Sequence, residues 1–479
     1  MAGETPSRAG GGDPRSGRLR RREFLDRSLR AAAAASGAAA AWAGAGSARA
    51  GARGEAGREA AQRFEPEYAR GLEEVLIVYD QVARDHLFRE VLEILGCLPP
   101  ECTVRFLASK GAEAQARARL AERGIRAEVH AAESAELWGD WGRDIFQVSW
   151  REGKTVLVVP YEKAARSRGA LTRGYEILRS LLAPGRDVRL APLSFEGGNL
   201  AYDRLGRERV LFAGSSVLVD SDAVYRRWFG RGLPERECIE LLETAFSADR
   251  VVVLGRKRDG AFARQASLLF HIDLACAIVA EGTAFLQRFE APRDADGLRR
   301  EVREELELCA LDEAERRRTE ELLVRKGIRA KLPEGPKDVE AALETAVEAE
   351  LARLREAEAE LDTIRTALRE LGYAIHDLPG DWRSVRRTQS YANALVSRDR
   401  AVVPIFPRHG SAVARTIHLP ESRQIIDVIR APAPEDYALA GANLEAYRLY
   451  GKLFRDVRVV RDAFFLAGGS VHCVVGAIG

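Results

Sequence analysis

Val75-Leu76-Ile77-Val78-Tyr79 is the stretch whose reading decides the fold class. Its five residues are apolar or aromatic, three are β-branched, and the run is too short for a helix, so it reads as a strand. Similar runs recur at Val104-Arg105-Phe106-Leu107, Thr155-Val156-Leu157-Val158-Val159 and Val251-Val252-Val253-Leu254. Windows with helical periodicity lie between them, at Val82 to Leu95, Ala112 to Arg123 and Arg173 to Leu182. Alternation of this kind predicts an α/β fold in one large domain. No Gly-x-Gly-x-x-Gly or phosphate-loop sequence follows any of these strands, so nucleotide binding has no support.

The chain has 479 residues, 46% of them apolar and 30% charged, with 6 Cys. That is enough material for a large core, and it excludes both a disulfide-stapled miniprotein and a disordered tail. The net charge of +2 is misleading, because residues 1–50 hold nine Arg against four acids. Setting aside that surplus of five positive charges leaves the remainder at −3, which weakens any reading as a basic nucleic-acid binder.

Residues 1–50 have the three parts of an export leader. Arg20-Arg21-Arg22-Glu23-Phe24-Leu25 forms the positive region, Ala31 to Ala45 a soft apolar run, and Ala48-Arg49-Ala50 a small-x-small cleavage site. The Arg-Arg-x-Phe-Leu core resembles a twin-arginine signal, which implies a protein exported already folded and cut before Gly51. The expected location is therefore periplasmic or extracellular, with no membrane association after signal removal. Cys97 and Cys102 could pair after export, but buried free thiols are the expected state.

From Ala291 to Leu371 the texture changes to Glu, Arg, Ala and Leu. Apolar residues at Leu354, Ala357, Leu361, Ile364, Leu368 and Leu371 step by three and four, a heptad seam. Lys331-Leu332-Pro333-Glu334-Gly335-Pro336 breaks the segment in two, with Asp338 as N-cap and Gly372 as C′ residue of the second helix. Two antiparallel helices forming a protruding hairpin are predicted, packed chiefly on each other and placed to flank a pocket mouth or to dock a partner or a second copy. The expected organisation is thus a leader at 1–50, a catalytic domain made of 51–290 and 373–479, and an inserted helical hairpin at 291–372.

Four segments are polar and Gly-rich beyond what strands and helices require. They are Trp138-Gly139-Asp140-Trp141-Gly142-Arg143-Asp144, Phe195-Glu196-Gly197-Gly198-Asn199-Leu200, His271-Ile272-Asp273 and Gly468-Gly469-Ser470-Val471-His472-Cys473. In an extended segment His271 and Asp273 would share one face. Two glycines before Cys473 suit a loop that presents a thiol. A thiol, an imidazole and several carboxylates are the parts of a nucleophilic site, and equally of a metal site.

In this order the segments resemble the motifs of the guanidine-modifying (pentein) superfamily, in particular its agmatine deiminase and bacterial peptidyl-arginine deiminase branch. Gln389-Ser390-Tyr391-Ala392-Asn393, followed by Ala401-Val402-Val403-Pro404-Ile405-Phe406, is a fifth match. The resemblance implies a five-bladed α/β propeller of ββαβ-type modules, interrupted here by the helical hairpin. It implies Cys473 as nucleophile, His271 as general acid and base, Glu196 as its orienting carboxylate, and Asp144 and Asp273 as the holders of a guanidinium. Arg143, Trp141 and Asn393, in the same motifs, are expected to help bind substrate.

The implied reaction converts peptidyl-arginine, arginine or agmatine to the ureido product plus ammonia through a covalent thiouronium, with no metal or organic cofactor. An amidinotransferase on the same site, or a non-catalytic arginine-binding protein, are the alternatives. Ile145-Phe146 after Asp144 and Val474-Val475-Gly476 after Cys473 depart from the agmatine deiminase pattern and leave the substrate open.

Overall fold

The computed structural model describes residues 65–79, 88–132, 141–151, 154–161, 165–167, 170–171, 173–182, 186–290, 292, 295–309, 317, 339–408, 413–418, 425–430, 433–462, 464 and 469–478. The leader, Asp338, Gly468 and the break at 331–336 lie outside these residues.

Strands and helices alternate as a mixed α/β chain that builds several small sheets. The first contains β1 (Glu74–Tyr79), β2 (Thr103–Ser109) and β3 (Ala127–Ala132), all parallel, connected through α1 (Phe88–Gly96) and α2 (Glu113–Glu122). In the second, β4 (Gln147–Arg151) is antiparallel to β5 (Lys154–Pro160), which after α3 (Arg173–Leu182) is parallel to β6 (Asp187–Ala191). The third repeats the pattern with β7 (Leu200–Leu205), β8 (Glu208–Gly214), helices α4 (Ser215–Phe229) and α5 (Glu235–Phe246), then β9 (Arg250–Leu254). The fourth repeats it with β10 (Cys276–Ala280), β11 (Thr283–Gln287), helices α6 (Ala295–Cys309) and α7 (Val339–Glu370), then β12 (Ala374–Leu378).

A short helix, α8 (Trp382–Arg386), precedes the fifth sheet of β13 (Leu395–Val396), β14 (Arg400–Ile405) and, after α9 (Gly441–Tyr450), β15 (Asp456–Arg461). The last strand, β16 (Val475–Ala477), returns to pair antiparallel with β1. The two ends of the described chain therefore complete the first sheet together. Central strands such as β5 are buried along nearly their whole length, which is why they read as unbroken apolar runs rather than as alternation.

The helical pair differs from the expected protruding hairpin. Ion pairs Arg299–Glu344 and Arg303–Glu340 run in opposite sequence directions, so α6 and α7 are antiparallel. Leu298 and Val302 of α6 pack in one apolar cluster with Leu343 and Val347 of α7. Further along α7, the seam residues Leu354, Ala357, Leu361, Ile364 and Leu368 are buried in the same cluster as Val210, Phe212, Leu254 and Leu286 of the strands. The seam thus faces sheets rather than a sister helix. Its driving force is apolar burial beneath the crossover between the parallel strands β11 and β12.

Gly372 at φ +82° ends α7, with Tyr373 N–H donating to Leu368 O at 3.0 Å, as a left-handed C-terminal cap requires. Arg256 donates to Glu356 at 2.7 Å and to the fully buried Glu360 at 3.2 Å, fastening α7 to the third sheet's edge.

Cys97 and Cys102 are free thiols. Among the described residues no helix is long and apolar enough to cross a membrane.

Because α7 is core, Ile364→Ala should cost about 2–5 kcal/mol through its cavity. Urea unfolding of the mature chain measures this, and a midpoint unchanged from wild type would contradict the packing described here.

Candidate active site

The motif residues sit in five short turns, each just before the antiparallel edge strand of a sheet. Asp144 lies in the turn Gly142–Ile145 before β4, and Glu196 precedes the turn Gly197–Asn199 before β7. His271 precedes the helical turn Ile272–Ala275, which carries Asp273, before β10. Asn393 is two residues before β13. Cys473 lies in the turn Val471–Val474 before β16. The extended geometry expected for His271-Ile272-Asp273 holds only at His271, whose φ of −123° leads into a helical turn. The two side chains still converge, because the turn brings Asp273 back toward the imidazole.

A single turn leaves its own N–H and C=O groups unpaired, and here neighbouring turns supply the partners. Gly198 N–H donates to Asp144 Oδ1 at 3.4 Å. Asn199 accepts from Ile272 N–H and donates to Phe270 O, both at 3.1 Å. Ser390 Oγ donates to Leu274 O at 2.7 Å. Asn393 Oδ1 accepts from the backbone N–H of His472 at 3.0 Å and of Cys473 at 3.3 Å. The ring closes where Gly142 packs against Val474, so closely that a Cβ on Gly142 would lie 2.7 Å from Val474 O.

Within this ring a nitrogen of His271, a carboxylate oxygen of Asp273 and Cys473 Sγ lie within 4.8 Å of one another, as do ligating atoms of Asp144, Glu196 and His271. His271 Nε2 bonds Glu196 Oε2 at 2.7 Å, and Nδ1 stands 4.0 Å from Asp273 Oδ1. Asn393 Nδ2 donates to Cys473 Sγ at 3.3 Å, and Sγ lies 3.8 Å from Asp273 Oδ2. His271 and Cys473 are almost wholly buried, at 3% and 2% exposure. Glycine at 198 makes room for the cluster: a Cβ there would lie 2.6 Å from His271 Nδ1 and 2.8 Å from Asp273 Oδ2.

Burial alone would push the His271 imidazole down, but the charge of Asp144, the contact with the Cys473 thiol and the bond to Glu196 outweigh it and raise it well above its ordinary value. Burial and the Asp273 and Asp144 carboxylates push the Cys473 thiol up to about 12, against a lowering by His271. Both shifts act toward a neutral thiol beside a protonated imidazole. Bringing a cation between the carboxylates would cancel their push on the sulfur. The same atoms include those a metal would need, but the His271–Glu196 bond already occupies Nε2 and Oε2 with each other.

Six of the eight residues expected from sequence, Asp144, Glu196, His271, Asp273, Asn393 and Cys473, come together. Arg143 forms an ion pair with Glu67 instead of contacting this cluster's His271 or Cys473. Trp141 packs its ring against Gly469, where a Cβ would meet it at 2.6 Å, and stands edge-on to Phe464. It thus braces the loop before Cys473.

Two participants were not foreseen. His472 Nδ1 bonds Asp273 Oδ2 at 2.9 Å, and its Nε2 bonds Glu67 Oε2 at 2.9 Å. His472 belonged to a quoted motif without a role. Glu67 comes from a turn before β1 that carries no motif.

No family model and no curated protein matches this chain. Among solved structures it is similar to an agmatine deiminase of C. jejuni, at 12% identity over 86% of this chain and 94% of that chain, with a TM-score of 0.49. A cysteine-to-serine variant of the C. jejuni enzyme with substrate bound matches at 12% identity over the same shares, with a TM-score of 0.48. A mutant of AgrE in complex with L-arginine matches at 10% identity over 85% of this chain and 40% of that chain, with a TM-score of 0.33. None of these likenesses assigns a residue or a substrate to this chain.

The electrostatics predict that an electrophile carrying an amidinium cation alkylates Cys473 about tenfold faster than neutral iodoacetamide, and that Asp273→Asn removes the preference. Peptide mass mapping over time reads both rates. Equal rates in the wild type would contradict a cation-selective site.

Proposed function

We propose that the protein is a hydrolase that deiminates the guanidinium group of an arginine-like compound, releasing the ureido product and ammonia. The observation that carries this reading is the meeting of a buried thiol, a buried imidazole and three carboxylates, two of them buried, in a ring of turns. A planar guanidinium offers fixed pairs of N–H donors, and Asp144 and Asp273 accept them in this reading, each charged hydrogen bond contributing roughly 1.5–3 kcal/mol. Sulfur then faces the electrophilic carbon.

Binding of the cation relieves the carboxylates' push on Cys473 and releases the thiol proton, leaving thiolate beside imidazolium. Thiolate attack forms a C–S bond and a tetrahedral adduct. His271, held at Nε2 by Glu196, gives its proton to the departing nitrogen, the C–N bond breaks, and ammonia leaves an S-alkylthiouronium on Cys473. The neutral imidazole takes a proton from water, the resulting hydroxide attacks the same carbon, and the C–S bond breaks as the adduct's hydroxyl proton passes to the departing sulfur, leaving the ureido product and the neutral thiol. Release of ammonia with no amine acceptor separates this reaction from amidino transfer.

Five repeated antiparallel-then-parallel sheets, with the ring of turns at their antiparallel edge strands, support a five-bladed α/β propeller with the site on its axis. The periplasmic or extracellular location is part of the same proposal and rests on residues 1–50 alone.

Mature protein incubated with arginine, agmatine and a peptide with an internal arginine should form ureido product and ammonia from at least one of them, with Cys473→Ser inactive. No product from any of the three would defeat the reading. Because the free thiol is protonated, kcat/KM should rise with pH across the neutral range, while kcat levels off at lower pH because bound substrate eases thiol ionisation. A flat kcat/KM profile between about pH 6 and pH 9 would contradict this order of events.

A further inference from the structure

Glu67 reaches the site from 405 residues before His472 in the chain. Its turn is held from several sides. Tyr68 Oη donates to the buried Asp203 at 2.5 Å, Arg398 N–H donates to Arg70 O at 2.7 Å, and Arg398 Nε donates to Ala69 O at 3.1 Å. From this anchored turn Glu67 contacts three positive or positive-capable groups: Arg143, paired through Oε1, Arg70 at 3.7 Å, and His472 at 2.9 Å. Arg143 neighbours Asp144, and His472 neighbours Cys473. One carboxylate therefore ties together the two turns that deliver a guanidinium-facing carboxylate and the nucleophile.

Both ring nitrogens of His472 face carboxylate oxygens at 2.9 Å, Nδ1 to Asp273 and Nε2 to Glu67. A neutral imidazole has only one N–H and could donate to only one of them. The doubly donating arrangement is that of an imidazolium. Its other charged neighbour is Arg143, which together with burial opposes the proton, while Glu67 and Asp273 favour it and prevail. Arg143, His472 and Arg70 in turn keep Glu67 ionised against a burial that would neutralise it. On Asp273 the consequence is asymmetric: Oδ2 is tied to His472, whereas Oδ1, on the His271 side, is buried with no hydrogen-bond partner among the described residues. A buried, unpartnered carboxylate oxygen is costly unless a ligand completes it.

We propose that Glu67 is a positioning residue which, through a doubly hydrogen-bonded His472, locks the Asp273 carboxylate so that Oδ1 is the atom offered to the substrate guanidinium. The inference rests on the hydrolase reading above and adds a relay of carboxylate, imidazolium and carboxylate behind the binding face. Glu67 does not touch substrate. It fixes the charge of His472, and His472 fixes the orientation of Asp273. Without Glu67, the burial and Arg143 that oppose protonation would let His472 lose its proton within the ordinary assay range, and a charge-assisted bond to Asp273 would become a neutral one.

The test uses full mature protein with Glu67→Gln and two readouts. In the first, the side-chain nitrogen resonances of His472 show the imidazolium pattern in wild type at about pH 8.5 and the neutral pattern in the variant at the same pH. In the second, KM for the accepted guanidino substrate is near wild type at about pH 6 and about tenfold higher at about pH 8.5, while kcat changes less. Glu67→Asp, which keeps the charge, restores part of the loss.

A neutral His472 in wild type at the higher pH, or a KM defect equal at both pH values, would overturn the relay. The resonances need no turnover, so failure of the relay and failure of the hydrolase reading are told apart. Should Glu67→Gln not fold, the wild-type resonances decide alone.

Discussion

Five single turns, none able to satisfy all of its own backbone groups, borrow further hydrogen-bond partners from one another, and the site depends on that constraint. Asp144, Asn199, Ser390 and Asn393 each donate to or accept from the backbone of the next turn. Because a buried unpaired amide or carbonyl costs more than a typical hydrogen bond contributes, the turns hold one another in a single arrangement. The sheets behind them provide rigid roots. Asn393 does two things at once: it caps the turn that carries Cys473 and places an N–H donor against the sulfur.

Within the ring, electrostatics set the chemistry. Negative groups outnumber positive ones around the thiol, and their charge raises both the thiol and the imidazole above their ordinary values. On the proposed function, an arriving cation would complete that charge balance and shift the thiol toward its reactive form. Behind this layer lies a second one, Glu67, Arg143, Arg70 and His472, in which charges are paired before any substrate comes. The outer layer is left unfinished, and the inner layer holds it in place.

Much of this was legible in sequence, for identifiable reasons. Buried parallel strands such as Val156 to Val159 announce themselves because both faces are apolar. That Asp144, Glu196, His271, Asp273 and Cys473 stand in polar stretches that no strand or helix needs was legible from the residues, whereas Asn393 stood out only through the family resemblance. The partner of Arg143 was not legible, because the carboxylate it pairs with, Glu67, lies far away in the sequence. The seam of α7 was legible as apolar but not as to its partner, since a helix stripe packs equally well on a helix or on a sheet. Glu67 was illegible, because one acidic residue in an unremarkable turn gives no sign of a partner hundreds of positions away.

The central claim is that Cys473 attacks a guanidinium carbon held between Asp144 and Asp273. Rapid acid quench of the enzyme during turnover, followed by peptide mass mapping, tests it most directly. The account predicts a fraction of the peptide containing Cys473 heavier by the mass of the substrate less one ammonia, absent from Cys473→Ser. Turnover with the Cys473 peptide unmodified at every quench time, or with the adduct on another residue, would contradict it.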